Sequence, residues 1–194
     1  MYFRFLILAL TISGAANAAK VDVLVRAADG RPVADAVVMV DTPHRAAGAI
    51  RFPWPYAMNQ QNIAFVPHVL IVPVGASVTF PNLDKVRHHV YSFSKAKKFE
   101  LKLYGQDQTR AVVFDKPGVI AIGCNIHDTM SGFILAVDTP HAAKTDATGH
   151  AILDVPAGTA TLDVWHPSIR AVGNMISAPI AITAAGFART IPIG

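Results

Sequence analysis

The chain has 194 residues, 52% of them hydrophobic and 15% charged, with a formal net charge of +4. This composition excludes a disordered chain and describes one large or two small packed units. The positive balance is mild and scattered, too weak for a nucleic-acid surface but of the sign that steers an acidic partner.

The chain opens with Met1-Tyr2-Phe3-Arg4, an apolar run over residues 5–12 and the small-residue signal Ala16-Asn17-Ala18. This pattern reads as a secretory signal peptide over residues 1–18, cleaved after Ala18, which sends the mature chain to the periplasm. No apolar run approaches the ~20 residues of a spanning helix, so no membrane span is expected in the mature chain. Cys124 is the single cysteine. It cannot form an internal disulfide, and in an oxidising compartment a lone thiol is a liability unless occupied, for which metal ligation is the usual means.

From there the signals are β throughout. Residues 21–25 alternate, Asp29-Gly30 marks a hairpin turn, and 36–40 form a second β-branched run. Short apolar runs follow at 68–74, 77–80, 86–93, 99–103, 110–114, 119–124 and 132–137, with Gly, Pro, Asn or Asp between them. Such spacing predicts an all-β chain built as an antiparallel sandwich, with any helix short. Pro53-Trp54-Pro55-Tyr56 forbids regular pairing on both sides of the tryptophan, so residues 44–61 read as a linker whose aromatics pack against the sandwich. Lys95-Ala96-Lys97-Lys98 reads as a solvated turn between strands.

Two β-rich blocks flank the middle, and neither has enough strands to close a sandwich alone. The first carries Asp29-Gly30-Arg31-Pro32-Val33 and Ala36; the second carries Thr145-Asp146, Gly149, Leu153, Pro156 and Gly158. Joined, residues 20–43 and 138–194 resemble the carboxypeptidase regulatory-like, transthyretin-like β-sandwich. A middle domain over residues 62–137 is then expected to be inserted between its halves.

The chemistry concentrates at Cys124-Asn125-Ile126-His127-Asp128-Thr129-Met130. A thiolate, an imidazole at +3 and a thioether at +6 form a soft ligand set, and trigonal His₂Cys with a weak axial Met marks blue-copper electron-transfer sites. A second histidine must come from elsewhere, and His88 and His89 are the available suppliers. Neighbouring side chains on a strand face opposite ways, so only one of them can reach the metal, but alternation does not choose, since Val90, Tyr91 and Phe93 are all apolar.

Residues 62–137 resemble the cupredoxin family, specifically its plastocyanin-like and amicyanin-like members. The matching residues are Val74-Gly75, Val78, Phe80-Pro81-Asn82 and Asp84 ahead of His88, then Pro117-Gly118-Val119 leading to Cys124, His127, Met130 and Gly132. The resemblance implies a Greek-key cupredoxin β-sandwich binding one copper ion through His88, Cys124, His127 and Met130. His89 stands where the family has Asn after the first ligand, and the resemblance leaves it either behind the ligands or at the surface, where a neutral ring nitrogen could hydrogen-bond the ligand loop as that Asn does. His127 would be the partly exposed ligand through which electrons pass. Asp128 replaces an apolar residue common there, which puts the usual hydrophobic docking patch in question.

The resulting expectation is a non-enzymatic, exported type 1 copper protein that carries electrons for a redox protein partner. A periplasmic copper-binding or delivery protein would use the same residues, and a structural or interaction module without metal is the third class. His44, His68, His141, His150 and His166 are dispersed and read as structural or surface residues, and no phosphate loop or nucleophile elbow is present.

Overall fold

The computed structural model describes residues 18–43 and 48–194. The signal-peptide reading falls outside the described residues except for Ala18, and His44 lies outside them too. The described chain is all-β; its one helical element is the single turn Val172–Asn174, and no helix is long and apolar enough to cross a membrane.

In chain order the first strands are β1 (Ala18–Ala27) and β2 (Val37–Asp41), followed by the short hairpin β3 (Asn59–Gln61) and β4 (Ala64–Val66). The seven apolar runs of the middle segment form β5 (Val69–Pro73), β6 (Ala76–Pro81), β7 (His88–Phe93), β8 (Lys98–Tyr104), β9 (Thr109–Phe114), β10 (Gly118–Cys124) and β11 (Ser131–Val137). After them come β12 (Ala142–Lys144), β13 (His150–Pro156), β14 (Gly158–Trp165), β15 (Met175–Ile182) and β16 (Phe187–Ile193).

The flanking strands form two sheets, β13-β1-β16 and β12-β2-β14-β15. Val21, Val23, Val25, Leu153 and Ile191 of the first pack against Val38, Val40, Leu162 and Val164 of the second. The Asp29-Gly30 turn, with Gly30 at φ +84°, makes a short hairpin that pairs Arg26 with Pro32 antiparallel, after which β2 crosses to the opposite sheet and pairs with β14. The middle strands form the sheet β5-β11-β10-β7-β8, faced by the β6–β9 pair, with Phe80, Phe114, Tyr104, Ile120 and Ile134 in the core between them.

The pairing is not wholly antiparallel, as the short turns suggested. β1 runs parallel to β16 and β5 parallel to β11. Parallel neighbours need long connections, and both pairs are far apart in sequence, where no turn signal reports on pairing.

The expected linker carries more structure than its prolines suggested. Trp54 stacks on Phe52 with ring centroids 4.8 Å apart, and its Nε1 donates to the Ile71 carbonyl at 2.8 Å. Asn59–Gln61 is already strand β3, and the turn to β4 places Asn62 and Ile63 at positive φ. A third cluster, including Val37, Met39, Trp165, Val69, Ile71 and Leu135, lies where the flanking strands meet the outer face of the five-stranded sheet.

Candidate metal centre

Alternation along β7 and β10 places the site. On β10, Ile120, Ile122 and Cys124 turn inward; on β7, His88, Val90 and Ser92 do so. His88 is fully buried and Cys124 is 5% exposed. The β7–β8 register shifts between His88 and Val90, a local irregularity at the strand's start.

His127 enters from the loop between β10 and β11. The loop is drawn tight by its own main chain: the Cys124 N–H donates to the Met130 carbonyl at 3.0 Å, and the Met130 N–H donates to the His127 carbonyl at 2.9 Å. His88 Nδ1 lies 3.8 Å and His127 Nδ1 3.6 Å from Cys124 Sγ, and the two imidazole rings are 4.9 Å apart. The three donor atoms lie within 4.8 Å of one another, the one such group of His, Cys, Asp or Glu among the described residues. Met130 is 2% exposed and packs in the same core cluster as Cys124.

This donor set fits a metal ion. Metal–sulfur bonds of about 2.3 Å and metal–nitrogen bonds of about 2.0 Å place trigonal donors roughly 3.7 Å apart. The observed nitrogen–sulfur separations of 3.6 and 3.8 Å match. Chemically, a thiolate and two imidazoles can hold a borderline-soft first-row ion.

Asp84, which sequence reasoning noted only within a longer motif, braces His88. Its Oδ2 lies 2.8 Å from His88 Nε2, the nitrogen turned away from Cys124. The same carboxylate accepts the Asn62 N–H at 2.7 Å and the Ile63 N–H at 2.9 Å. Burial acts to raise the Asp84 carboxyl, but the bonds from Ile63, His88 and Asn62 prevail and hold it below the usual carboxylate range. The four-residue Asp-to-His spacing was the available signal; the hairpin tip that shares the carboxylate was not visible, because it is distant in sequence.

His89 turns away, and its ring Nε2 sits 2.9 Å from Glu100 Oε1. A ring bond to the ligand loop is not made; the His89 main-chain carbonyl accepts the Asn125 N–H at 3.3 Å instead. Asp128 and Thr129 are exposed at the rim. Apolar exposure comes from Ile126 on the same loop, and from Leu83 and Val86 near Asp84 and Ile63 at the hairpin tip.

The remaining histidines of the described chain stay apart from this group. His150 Nδ1 pairs with Asp22 Oδ1 at 2.7 Å, and His68 sits edge-on to Phe133. His166 accepts the Ser168 N–H on its Nδ1.

No protein-family model matches the chain, and no curated protein does. Solved structures resemble part of it. A copper-containing nitrite reductase, NirK, from Thermus scotoductus SA-01 is 26% identical over 50% of this chain, with a TM-score of 0.41. The chain spans only 25% of that protein's length. A purple cupredoxin from Nitrosopumilus maritimus is 24% identical over 42% of this chain and 96% of its own, with a TM-score of 0.38. An amicyanin variant in its reduced state is 19% identical over 51% of this chain and 99% of its own, with a TM-score of 0.40.

Proposed function

We propose that this chain is an exported type 1 copper protein that carries electrons for a redox protein partner. The observation that carries the reading is the convergence of buried His88 and Cys124 with half-buried His127, at nitrogen–sulfur separations that suit ligation of one ion. Two imidazoles and a thiolate, with Met130 in the same core cluster as Cys124, would favour copper over other first-row metals. His88, Cys124 and His127 would hold the ion, with Met130 beside them, and copper would supply one-electron cycling between Cu(I) and Cu(II).

The protein's own residues supply the rest. Two ligands sit on paired strands and the third on a loop closed by main-chain hydrogen bonds, so the donor set is held ready before metal arrives. Asp84 fixes the His88 ring, leaving Nδ1 free to ligate. His127 is half-buried, Ile126 next to it in sequence is exposed, and Leu83, Lys85, Val86 and Arg87 are exposed on the segment leading into His88, a mix of apolar and basic side chains that suits docking of a protein partner.

We further assign residues 62–137 as the copper-binding domain, inserted between segments 20–43 and 138–194 of a transthyretin-like sandwich. The separate hydrophobic clusters of the two strand sets support that division. The composition of residues 1–18 supports a signal peptide cut after Ala18, hence a periplasmic protein.

The test is to add Cu(II) to the purified mature protein and record visible and electron-paramagnetic spectra. The expected product is intensely blue with narrow copper hyperfine splitting, and it cycles reversibly between oxidation states. A colourless, wide-splitting product would falsify the type 1 assignment. Tight Cu(I) binding that passes to a chelator without redox cycling would instead point to copper delivery.

A further inference from the structure

Half of the outer face of the five-stranded sheet is covered. Val69 and Ile71 of β5 and Leu135 and Val137 of β11 pack there against Val37 and Trp165 of the flanking strands. Val119 at the start of β10 still packs against that cluster, and beyond it the face across the end of β10, β7 and β8 carries no covering strand. On it β7 turns His89, Tyr91 and Phe93 outward, with successive ring centroids 6.1 and 5.3 Å apart. Phe93 is 79% exposed and is the one exposed aromatic among the described residues.

A trough of about 530 Å³ runs from Phe93 and Tyr91 past Ser94 to Cys124, Asn125 and Asp128. Gly123, paired with Tyr91, has no side chain, and the Tyr91 ring takes that space. A Cβ on Gly123 would lie 3.0 Å from Tyr91 Oη, so the tyrosine ring rests directly on the strand beside Cys124.

The charges around Phe93 are unequal. Lys98 pairs directly across from Phe93 in the β7–β8 register, and Lys95 lies in the turn between them. Both are exposed and neither forms an ion pair among the described residues. Nearby Lys97 is held by Asp115 at 2.8 Å, and the Glu100 carboxylate is taken by His89. Asp128 is the one carboxylate lining the trough, at its end beyond Cys124. Lysines on an edge strand such as β8 have an ordinary use, blocking sheet-to-sheet pairing. An exposed phenylalanine set between two free lysines works against that use and has the makeup of a binding anchor.

We propose that this face is a docking surface for a redox protein that presents an apolar side chain ringed by carboxylates. The free lysines give attraction and orientation, and Phe93 gives the desolvated centre. The identity of the partner as a redox protein rests on the copper reading above; the complementarity of the surface does not. The trough meets the ligand loop at Asn125 and Asp128, so this face adjoins the rim at His127 and extends it along β7.

The test is a nuclear magnetic resonance titration of the full mature chain, before and after copper loading, with a short peptide alternating Glu and Phe. A peptide alternating Lys and Phe is the control. The acidic peptide is expected to shift the amides of Phe93, Ser94, Lys98 and Gly123 and to bind more weakly as salt rises. Phe93→Ser, and separately Lys95→Glu with Lys98→Glu, should each weaken binding about tenfold, while the folded spectrum persists because all three side chains are exposed. Shifts confined to Ile126 and Val86, or variants that bind as the native chain does, overturn the proposal. So does concentration-dependent self-association abolished by Phe93→Ser, which would make the occupant a second copy. A missing blue spectrum would end the electron-carrier reading while leaving the peptide result intact.

Discussion

His88 is held between two groups: its Nε2 lies 2.8 Å from Asp84 Oδ2, and its Nδ1 lies 3.8 Å from Cys124 Sγ. The same carboxylate grips the tip of the β3–β4 hairpin through the Asn62 and Ile63 N–H groups. Ring orientation and hairpin position are therefore set by one side chain.

Replacing that side chain should be felt in both places. Asp84→Ala is expected to weaken copper affinity about 10- to 100-fold, as loss of an outer-shell partner does. It should also cost the metal-free protein about 1–3 kcal/mol, because a buried ring nitrogen is left unpaired. Asp84→Asn, which keeps an acceptor oxygen, should lose less of each. Chelator competition and urea unfolding of the metal-free chain measure the two effects, and an unchanged affinity in Asp84→Ala would refute the bracing role.

Trp165 joins the two strand sets. It is 1% exposed and meets Phe133 edge-on at 5.1 Å, while its Nε1 has no hydrogen-bond partner among the described residues. Trp165→Ala should therefore cost about 3–5 kcal/mol, the usual penalty for emptying a large buried site. Trp165→Phe should cost clearly less, since no indole hydrogen bond is lost. Unfolding followed by fluorescence and by circular dichroism should separate into two transitions in the alanine variant, because the shared cluster couples the two cores.

Gly149 is required by both space and conformation. Its φ is +83°, and a Cβ there would stand 2.6 Å from the Val25 carbonyl oxygen, which belongs to main chain and cannot swing aside. Gly149→Ala should destabilise the chain by about 1–3 kcal/mol. Thermal unfolding checks this. The copper spectrum should stay native, because the change lies among the flanking strands.

Burial holds the His166 ring below its usual value of 6.5; the nearby His68 charge acts the same way and Asp35 opposes. The folded chain thus binds fewer protons here than the unfolded chain does near that pH. The stability due to the neutral ring is present above 6.5 and is lost as pH falls below it, until the folded ring also protonates. Protonation at Nδ1 also breaks the bond from the Ser168 N–H. Urea midpoints measured at about pH 7.5 and about pH 5.5 should therefore differ less in His166→Asn than in the native chain.

The middle strands were legible in sequence because each is a short apolar run bounded by turn residues, a local signal that burial between two sheets imposes. The Cys124, His127 and Met130 spacing was legible for the same reason: one loop carries all three. Strand alternation did not separate positions 88 and 89, since apolar residues line both faces of β7; the cupredoxin resemblance was what pointed to His88. The tertiary structure turns His88 to the inner face that Cys124 of neighbouring β10 shares, and turns His89 to the outer face toward Glu100.

By itself, then, the sequence determined the β character, the positions of the middle strands and the donor side chains carried on one loop. All of these follow from short-range pattern and residue chemistry. Tertiary structure decided which histidine turns inward, which carboxylate braces it and which sheet face is left open. Those depend on strands far apart in sequence, such as β5 beside β11 and the hairpin tip on Asp84, whose pairing no local pattern encodes.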